Sequence, residues 1–356
     1  MHLQDLLKVR YPIIQAPMAG SDSPQFVAAA CNAGVLGSLG GQYRTPEELK
    51  NAIAEIRNLT DKPFGVNLFA LPDQTVPSDE QIEQASAALD RYYEQFGISR
   101  PSTQTVKSSI DPEAQLRVIL DARVPVFSFT LGIPKDSWIR AFKKESIILI
   151  GAATNVKEAR ALEAAGVDAI TAQSTEAGGH RGTFIGPYEK SMIGGMALIP
   201  QVVDAVKIPV VAAGGIMDGR GIAAAFALGA QGVQLGTAFL TVAESPVHAA
   251  YKKAIREHDA DDTTITKVFS GGAARGIDNE FIAENRNKPL LPFPYHNSLT
   301  RPFRKIANET GQIGYTNLWS GQGGRLARAG TIDELVKQLM SETEDALKKL
   351  STIKVR

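Results

Sequence analysis

The chain is poor in the residues that would place it in several large protein classes. Its one cysteine, Cys31, leaves no disulfide framework and no thiolate metal cluster. Cys31 lies in the apolar run F-V-A-A-A-C-N-A-G, where a free thiol behaves as a small buried hydrophobe. Histidine is scarce too, and His2, His248, His258 and His296 are scattered without ligand spacing, so no metal site is indicated. Charge of one sign is not in excess: 38 basic and 38 acidic residues cancel, which favours neither nucleic acid nor an anionic membrane as a partner. No apolar run reaches the roughly 20 residues of a membrane span. The opening M-H-L-Q-D-L-L-K lacks the apolar core of a signal peptide. These absences lead to the expectation of a soluble, cytoplasmic protein, monomer or homodimer, that handles small molecules.

What is abundant is a rhythm. Short β-type runs alternate with helical patterns, the signature of parallel strands joined by crossover helices. Strands are expected at 12–17, 37–41, 64–70, 124–131, 147–153, 169–174, 209–216 and 232–240. Helices fall between them at about 23–33, 45–59, 111–122, 135–144, 155–165, 197–206 and 219–228, with another at 246–258. Thr45 with Pro46 and two acids in T-P-E-E-L-K is a strong helix start. Asn155 caps a helix that Gly166 ends. Eight strand-then-helix units are what a TIM (β/α)8 barrel of the α/β class requires.

Two segments break the rhythm. Residues 71–109 hold no core strand, and 78–96 reads as helix, so this is an insertion over one barrel end. Residues 259–330 form a second, irregular insertion. The barrel is therefore expected over 1–70 and 110–258, closed by a C-terminal helix within 331–356. The insertions supply a smaller region covering the substrate.

The chemistry concentrates in D-A-I-T-A-Q-S-T-E-A-G-G-H-R-G-T-F at 168–184. A short strand stops in a loop with Gly178, Gly179, His180 and Gly182, where glycines admit close backbone approach and histidine titrates near neutrality. In a TIM barrel, sites lie at the carboxyl ends of the strands, and phosphate commonly binds after strands seven and eight. Gly214 and Gly215 end strand seven, Gly236 and Thr237 sit on strand eight, and a helix N-terminus follows Asp218, so backbone N–H groups can cradle an anion without lysine. Met18 closes strand one, Asn67 interrupts an apolar strand three, and Gln173 ends strand six. Amides in strands need partners, and a flat heterocycle supplies them.

Q-A-P-M-A-G at 15–20, G-V-N-L-F at 65–69, A-Q-S-T-E-A-G-G-H-R-G at 172–182, P-V-V-A-A-G-G-I at 209–216 and Q-L-G-T-A-F at 234–239 resemble the motifs of the nitronate monooxygenases. Length, the second insertion and W-S-G-Q-G-G-R at 319–325 resemble the class I branch. Ser174, where glycine is more usual, and Ser21 depart from the pattern. The resemblance implies non-covalent FMN, with contacts from Met18, Asn67, Gln173, Gly178, Gly179, Gly214, Gly215, Gln234, Leu235, Gly236 and Thr237, and His180 as the catalytic residue. It also implies oxidation of alkyl nitronates, propionate 3-nitronate among them, by O2 to a carbonyl compound and nitrite, with one electron passing to the flavin, in a detoxifying role. His180 is expected to act as a base on a neutral nitroalkane or, protonated, to bind the nitronate.

Tyr295, in L-P-F-P-Y-H-N-S, is a candidate pocket residue in a rigid loop. Arg301, Arg304 and Lys305 are candidates for a substrate carboxylate, and Arg275 and Trp319 for the site border. Three other readings compete. An NAD(P)H-dependent FMN reductase, for quinones or enoyl groups, would share barrel and histidine loop. A nucleotide dehydrogenase of the IMP dehydrogenase type needs a cysteine after strand six, where none stands. A non-catalytic FMN carrier would be indifferent to loss of His180.

Overall fold

The computed structural model describes residues 2–71, 75–107 and 110–353. Its centre is the expected TIM barrel. Eight parallel strands, β1 (Ile13–Gln15), β2 (Gly37–Gly40), β3 (Phe64–Phe69), β4 (Val126–Thr130), β5 (Ile148–Ala153), β6 (Ala169–Gln173), β7 (Val210–Ala213) and β8 (Gly232–Leu235), pair in sequence order, and β8 pairs with β1. The last gap, between β1 and β2, is closed at Leu36, whose N–H donates to the Ile13 carbonyl at 3.0 Å and whose carbonyl accepts from Gln15 at 2.9 Å.

The period-two alternation of strands sorts their side chains. Ile14, Val126, Ile150, Ala169 and Val211 turn into the barrel, where they meet Leu3 and Leu7 of an N-terminal helix, Leu3–Leu7, that plugs its lower end. Their neighbours Ile13, Phe127, Leu149 and Val210 turn outward under the helices. The sequence reading assigned that plug no structure, because five residues are too short for a periodic signal. Helix starts follow the expected chemistry. Thr45 and Glu48 form a reciprocal capping box, Asn155 accepts from the Glu158 N–H, and Gly166 ends its helix in the left-handed region. The closing helix, Ile332–Ser351, lies on the helix Gly219–Ala227 so closely that a Cβ on Gly219 would stand 2.2 Å from the Thr343 nitrogen.

Three expectations need correction. Strand eight ends at Leu235, and Thr237–Leu240 is a helical turn, since Gly236 breaks the extended run. The helix expected over 78–96 is two, Asp79–Ala87 and Asp90–Gln95, followed by Thr103–Lys107. The segment 259–330 is not irregular: it holds an antiparallel hairpin, Thr263–Thr266 with Ala274–Ile277, and the helices Glu280–Asn285 and Tyr295–Glu309. Pro294 and Pro302 flank and interrupt the last helix, so its sequence reads as a loop.

The two insertions share one core. Tyr92 and Tyr93 from the first pack with Phe269, Phe281, Leu299 and Phe303 from the second. Tyr92 and Phe303 stack at 5.5 Å between ring centroids, and Phe269 and Phe281 at 4.9 Å. Burying this much aromatic area makes the cover a packed layer. Among the described residues no helix is long and apolar enough to cross a membrane, and no cluster of three metal-ligating side chains occurs.

Candidate active site

A cavity opens at the carboxyl ends of the barrel strands, bounded on one side by glycine backbone and on the other by aromatic rings. Met18, Asn67, Gln173, Gly178, Gly179, His180, Gly214, Gly215, Gln234, Gly236 and Thr237 all line it. So do Tyr43, Phe69, Ser128, Tyr251 and Trp319, which come from five separate stretches of chain.

The glycine side has the character of an anion cradle. Gly214 and Gly215 have φ of 112° and 69°, a left-handed conformation that lets the chain turn across the end of β7. Among the described residues, the N–H groups of Gly214, Gly215 and Gly236 donate to no protein acceptor. Asp218 behind them caps the next helix through the N–H groups of Arg220 and Gly221. Three free donors and a helix N-terminus fit a phosphate group. Deeper in the barrel, Asn67 donates to the Ser128 hydroxyl at 2.9 Å, and Gln234 accepts from Thr171 at 3.4 Å. Among the described residues the Asn67 side-chain carbonyl and the Gln234 NH2 have no partner. An acceptor and a donor presented by buried amides suit the edge of a flavin ring.

The loop carrying His180 is anchored by internal bonds. Gln173 spends its amide within the loop, donating to the His180 carbonyl at 3.0 Å and accepting from the Gly182 N–H at 2.8 Å. Arg181 turns inward and donates to the carbonyls of Gln173 and Ser174 at the end of β6 and to that of Ser191 in the turn Tyr188–Ser191. The Glu158 carboxylate, wholly buried, accepts from Thr154, Phe184 and Ile185 and holds the far end of the loop. Gly178 lies so near Ser320 and Gly321 that a Cβ there would meet the Gly321 nitrogen at 2.5 Å. Gly179 and His180 themselves form a third strand on the hairpin of the cover, pairing with Arg275 and Ala274.

The His180 ring is held edge-on by three others: Phe293 at 5.4 Å, Phe69 at 5.7 Å and Trp319 at 5.7 Å. Its Nε2 shares a 2.8 Å hydrogen bond with the Ser270 hydroxyl. Nδ1 has no partner among the described residues. Burial, helped by the nearby Arg304 charge, pushes its pKa down to about 4. The ring is therefore neutral at physiological pH, which favours the base and disfavours the protonated form expected as an alternative. Arg304 is itself buried and bonds only neutral oxygens, of Thr300, Asn317 and Asn297. Burial lowers its pKa to about 10, so it stays charged.

Some candidates fall elsewhere. The Leu235 side chain faces outward into the helical layer with Ala238 and Phe239, as strand alternation after Gln234 demands, and its carbonyl accepts from Ala16. Tyr295 opens a helix and packs in the aromatic core of the cover, bordering a neighbouring cavity together with Arg301. Arg275 fixes the Thr175 carbonyl and the Thr263 hydroxyl, and Lys305 is exposed beside Glu309. The sequence reading missed Ser270, Phe69, Phe293 and Tyr43; Phe69 lies within the motif G-V-N-L-F, and the other three lie outside the matching motifs. Only the aromatic in G-V-N-L-F carried a local signal.

The family model of the nitronate monooxygenases matches residues 1–342. A protein named probable nitronate monooxygenase from Staphylococcus haemolyticus is 44% identical over 349 residues, covering 97% of both chains. One of the same name from Staphylococcus saprophyticus is 44% identical over 351 residues, covering 96% of this chain and 97% of the other. The solved nitroalkane oxidase from Streptomyces ansochromogenes superposes with a TM-score of 0.90 at 39% identity, over 98% of this chain and 99% of that one. FabK from Thermotoga maritima reaches 0.77 at 30% identity, over 98% and 97%.

Proposed function

The chain belongs to the nitronate monooxygenase family, and from that premise we propose that it binds FMN and oxidises alkyl nitronates with O2 to a carbonyl compound and nitrite. It is an oxidoreductase, so the open matters are the cofactor, the oxidant and the residues. The observation that carries the reading is the opposition of His180, neutral and ring-packed, to a cradle of free backbone donors across one cavity.

In this reading the N–H groups of Gly214, Gly215 and Gly236 hold the FMN phosphate. Asn67 and Gln234 meet the ring edge, and Met18 lies beside it. Gln173, Gly178, Gly179 and Thr237 complete the wall, with Thr237 accepting from the Gly321 N–H at 3.0 Å. Bound flavin supplies the electron-accepting chemistry. His180 orients the nitronate by its free Nδ1 edge and takes the α-proton when the substrate arrives as a neutral nitroalkane. Ser270 holds the opposite edge, fixing the ring plane. Because the imidazole is uncharged, the attraction for an anionic substrate falls to Arg304, a buried cation without a carboxylate partner among the described residues.

The test is the visible spectrum of the aerobically purified protein, followed by oxygen uptake with propionate 3-nitronate and anaerobic mixing with NADH and NADPH. A flavin spectrum, rapid nitronate-dependent oxygen uptake and negligible reduction by either nicotinamide are expected. Rapid nicotinamide reduction with no nitronate turnover would transfer the protein to the reductases.

A further inference from the structure

The barrel cavity has a neighbour. A second cavity of about 980 Å³ lies between the ends of β3 and β4, the helices Pro112–Asp121 and Asp136–Lys144, and the first turn of the covering helix Tyr295–Glu309. Tyr43 and Phe69 line both. Phe69 is also one of the rings against His180, so the partition between the cavities is part of the reactive wall.

Leu68, Leu116, Phe127, Ile133, Trp138 and Phe184 form the apolar sides of the second cavity, with Gln42, Asn297 and Ser298 among its polar lining. Charge is confined to its edge, where Lys135 pairs with Glu113 at 2.6 Å and Arg301 lies over the Tyr43 ring at 5.5 Å. Protein interiors are packed as densely as organic crystals, and pockets of this size with apolar walls are characteristic of ligand sites. The barrel cavity, at about 210 Å³, is much smaller, and its walls carry Asn67, Ser128, Thr171, Gln173 and Gln234.

We infer that the second cavity receives the hydrocarbon chain of the substrate, and that this protein prefers the nitronates of longer straight-chain nitroalkanes to short ones. This rests on the nitronate reading above. The anionic head sits with His180, the chain passes Phe69 and Tyr43, and each added methylene leaves water for an apolar wall.

Flavin-loaded protein is assayed by oxygen uptake with the nitronates of nitroethane, 1-nitrobutane, 1-nitrohexane and 1-nitrooctane. Full burial predicts a rise in kcat/KM of roughly three- to fourfold per methylene. Ala161→Phe puts bulk into the second cavity from the helix Val156–Ala165, and Ser298→Trp from the first turn of the covering helix. Each is expected to cut the ratio of octyl to ethyl kcat/KM by at least about tenfold, the value of some two buried methylenes. A flat or falling series in the unaltered protein, or an unchanged ratio in both variants, overturns the chain site while leaving nitronate oxidation standing. Absence of turnover with every nitronate removes the nitronate reading, and the chain site with it.

Discussion

The two walls of the cavity are built on opposite principles. The wall at β7 and β8 is made of backbone: Gly214, Gly215 and Gly236 contribute N–H groups from short, local turns whose shape the barrel sets. The wall at His180 is made of side chains from distant stretches, with Phe69, Ser270, Phe293 and Trp319 converging on one imidazole. The first wall is suited to holding a group common to many proteins. The second is suited to choosing a substrate, because each member can change without disturbing the barrel.

The sharpest way to separate them is His180→Asn. With a neutral nitroalkane as substrate, loss of the proton-transferring side chain should lower kcat/KM by about 10²- to 10⁴-fold, with a smaller loss for the preformed nitronate, while the flavin spectrum should stay intact. Loss of flavin together with activity would show that the two walls are not independent. The reciprocal change is Gly214→Val. Its φ of 112° and the 2.2 Å approach of a Cβ to the Ser174 hydroxyl strain any side chain there. Backbone strain of this kind costs about 1–3 kcal/mol, so FMN affinity should fall roughly ten- to hundredfold, read by fluorescence titration of the deflavinated protein.

Phe303→Ala probes the cover at its centre and should cost about 3–5 kcal/mol of stability, measured by denaturant titration. Activity is expected to fail at lower denaturant than flavin binding, because the cover loosens first. Ser270→Ala removes the hydrogen bond to His180, worth about 0.5–1.5 kcal/mol, together with two longer ones to the Gly272 backbone. It should lower kcat/KM by roughly three- to tenfold with flavin affinity unchanged.

Acid sensitivity tests the same wall without a mutation. His180 and His296, both on the cover side, have pKa values pushed by burial from 6.5 down to about 4. Between those values the unfolded chain binds more protons than the folded one, so stability is full above pH 6.5 and is lost as pH falls toward 4. Thermal melts at pH 7 and pH 5 should show the drop, and His296→Gln should reduce it.

The same contrast explains what could be read from the sequence. The barrel, its caps and its glycine turns are local events, so Thr45, Asn155, Asp218 and Gly214 announce themselves in a few neighbouring residues. The outward turn of the Leu235 side chain was not legible because a contiguous motif, Gln234 to Thr237, hides the strand alternation. The cover was illegible because its signals are non-local: Tyr92 and Phe303 become partners only when both insertions fold over the barrel. Tyr295 read as a loop residue because proline on either side masks the helix it begins. Ser270 carries no chemistry of its own until His180 is brought within 2.8 Å.

The pairing of Gly179 and His180 with Arg275 and Ala274 also orders events in time. Those rungs join residues far apart in the chain, and such closures are among the slow steps of folding. The barrel's own closure, Ile13 against Val233, spans more chain still. Both walls of the cavity therefore depend on late, long-range closures, and neither is complete until the chain has been made almost to its end.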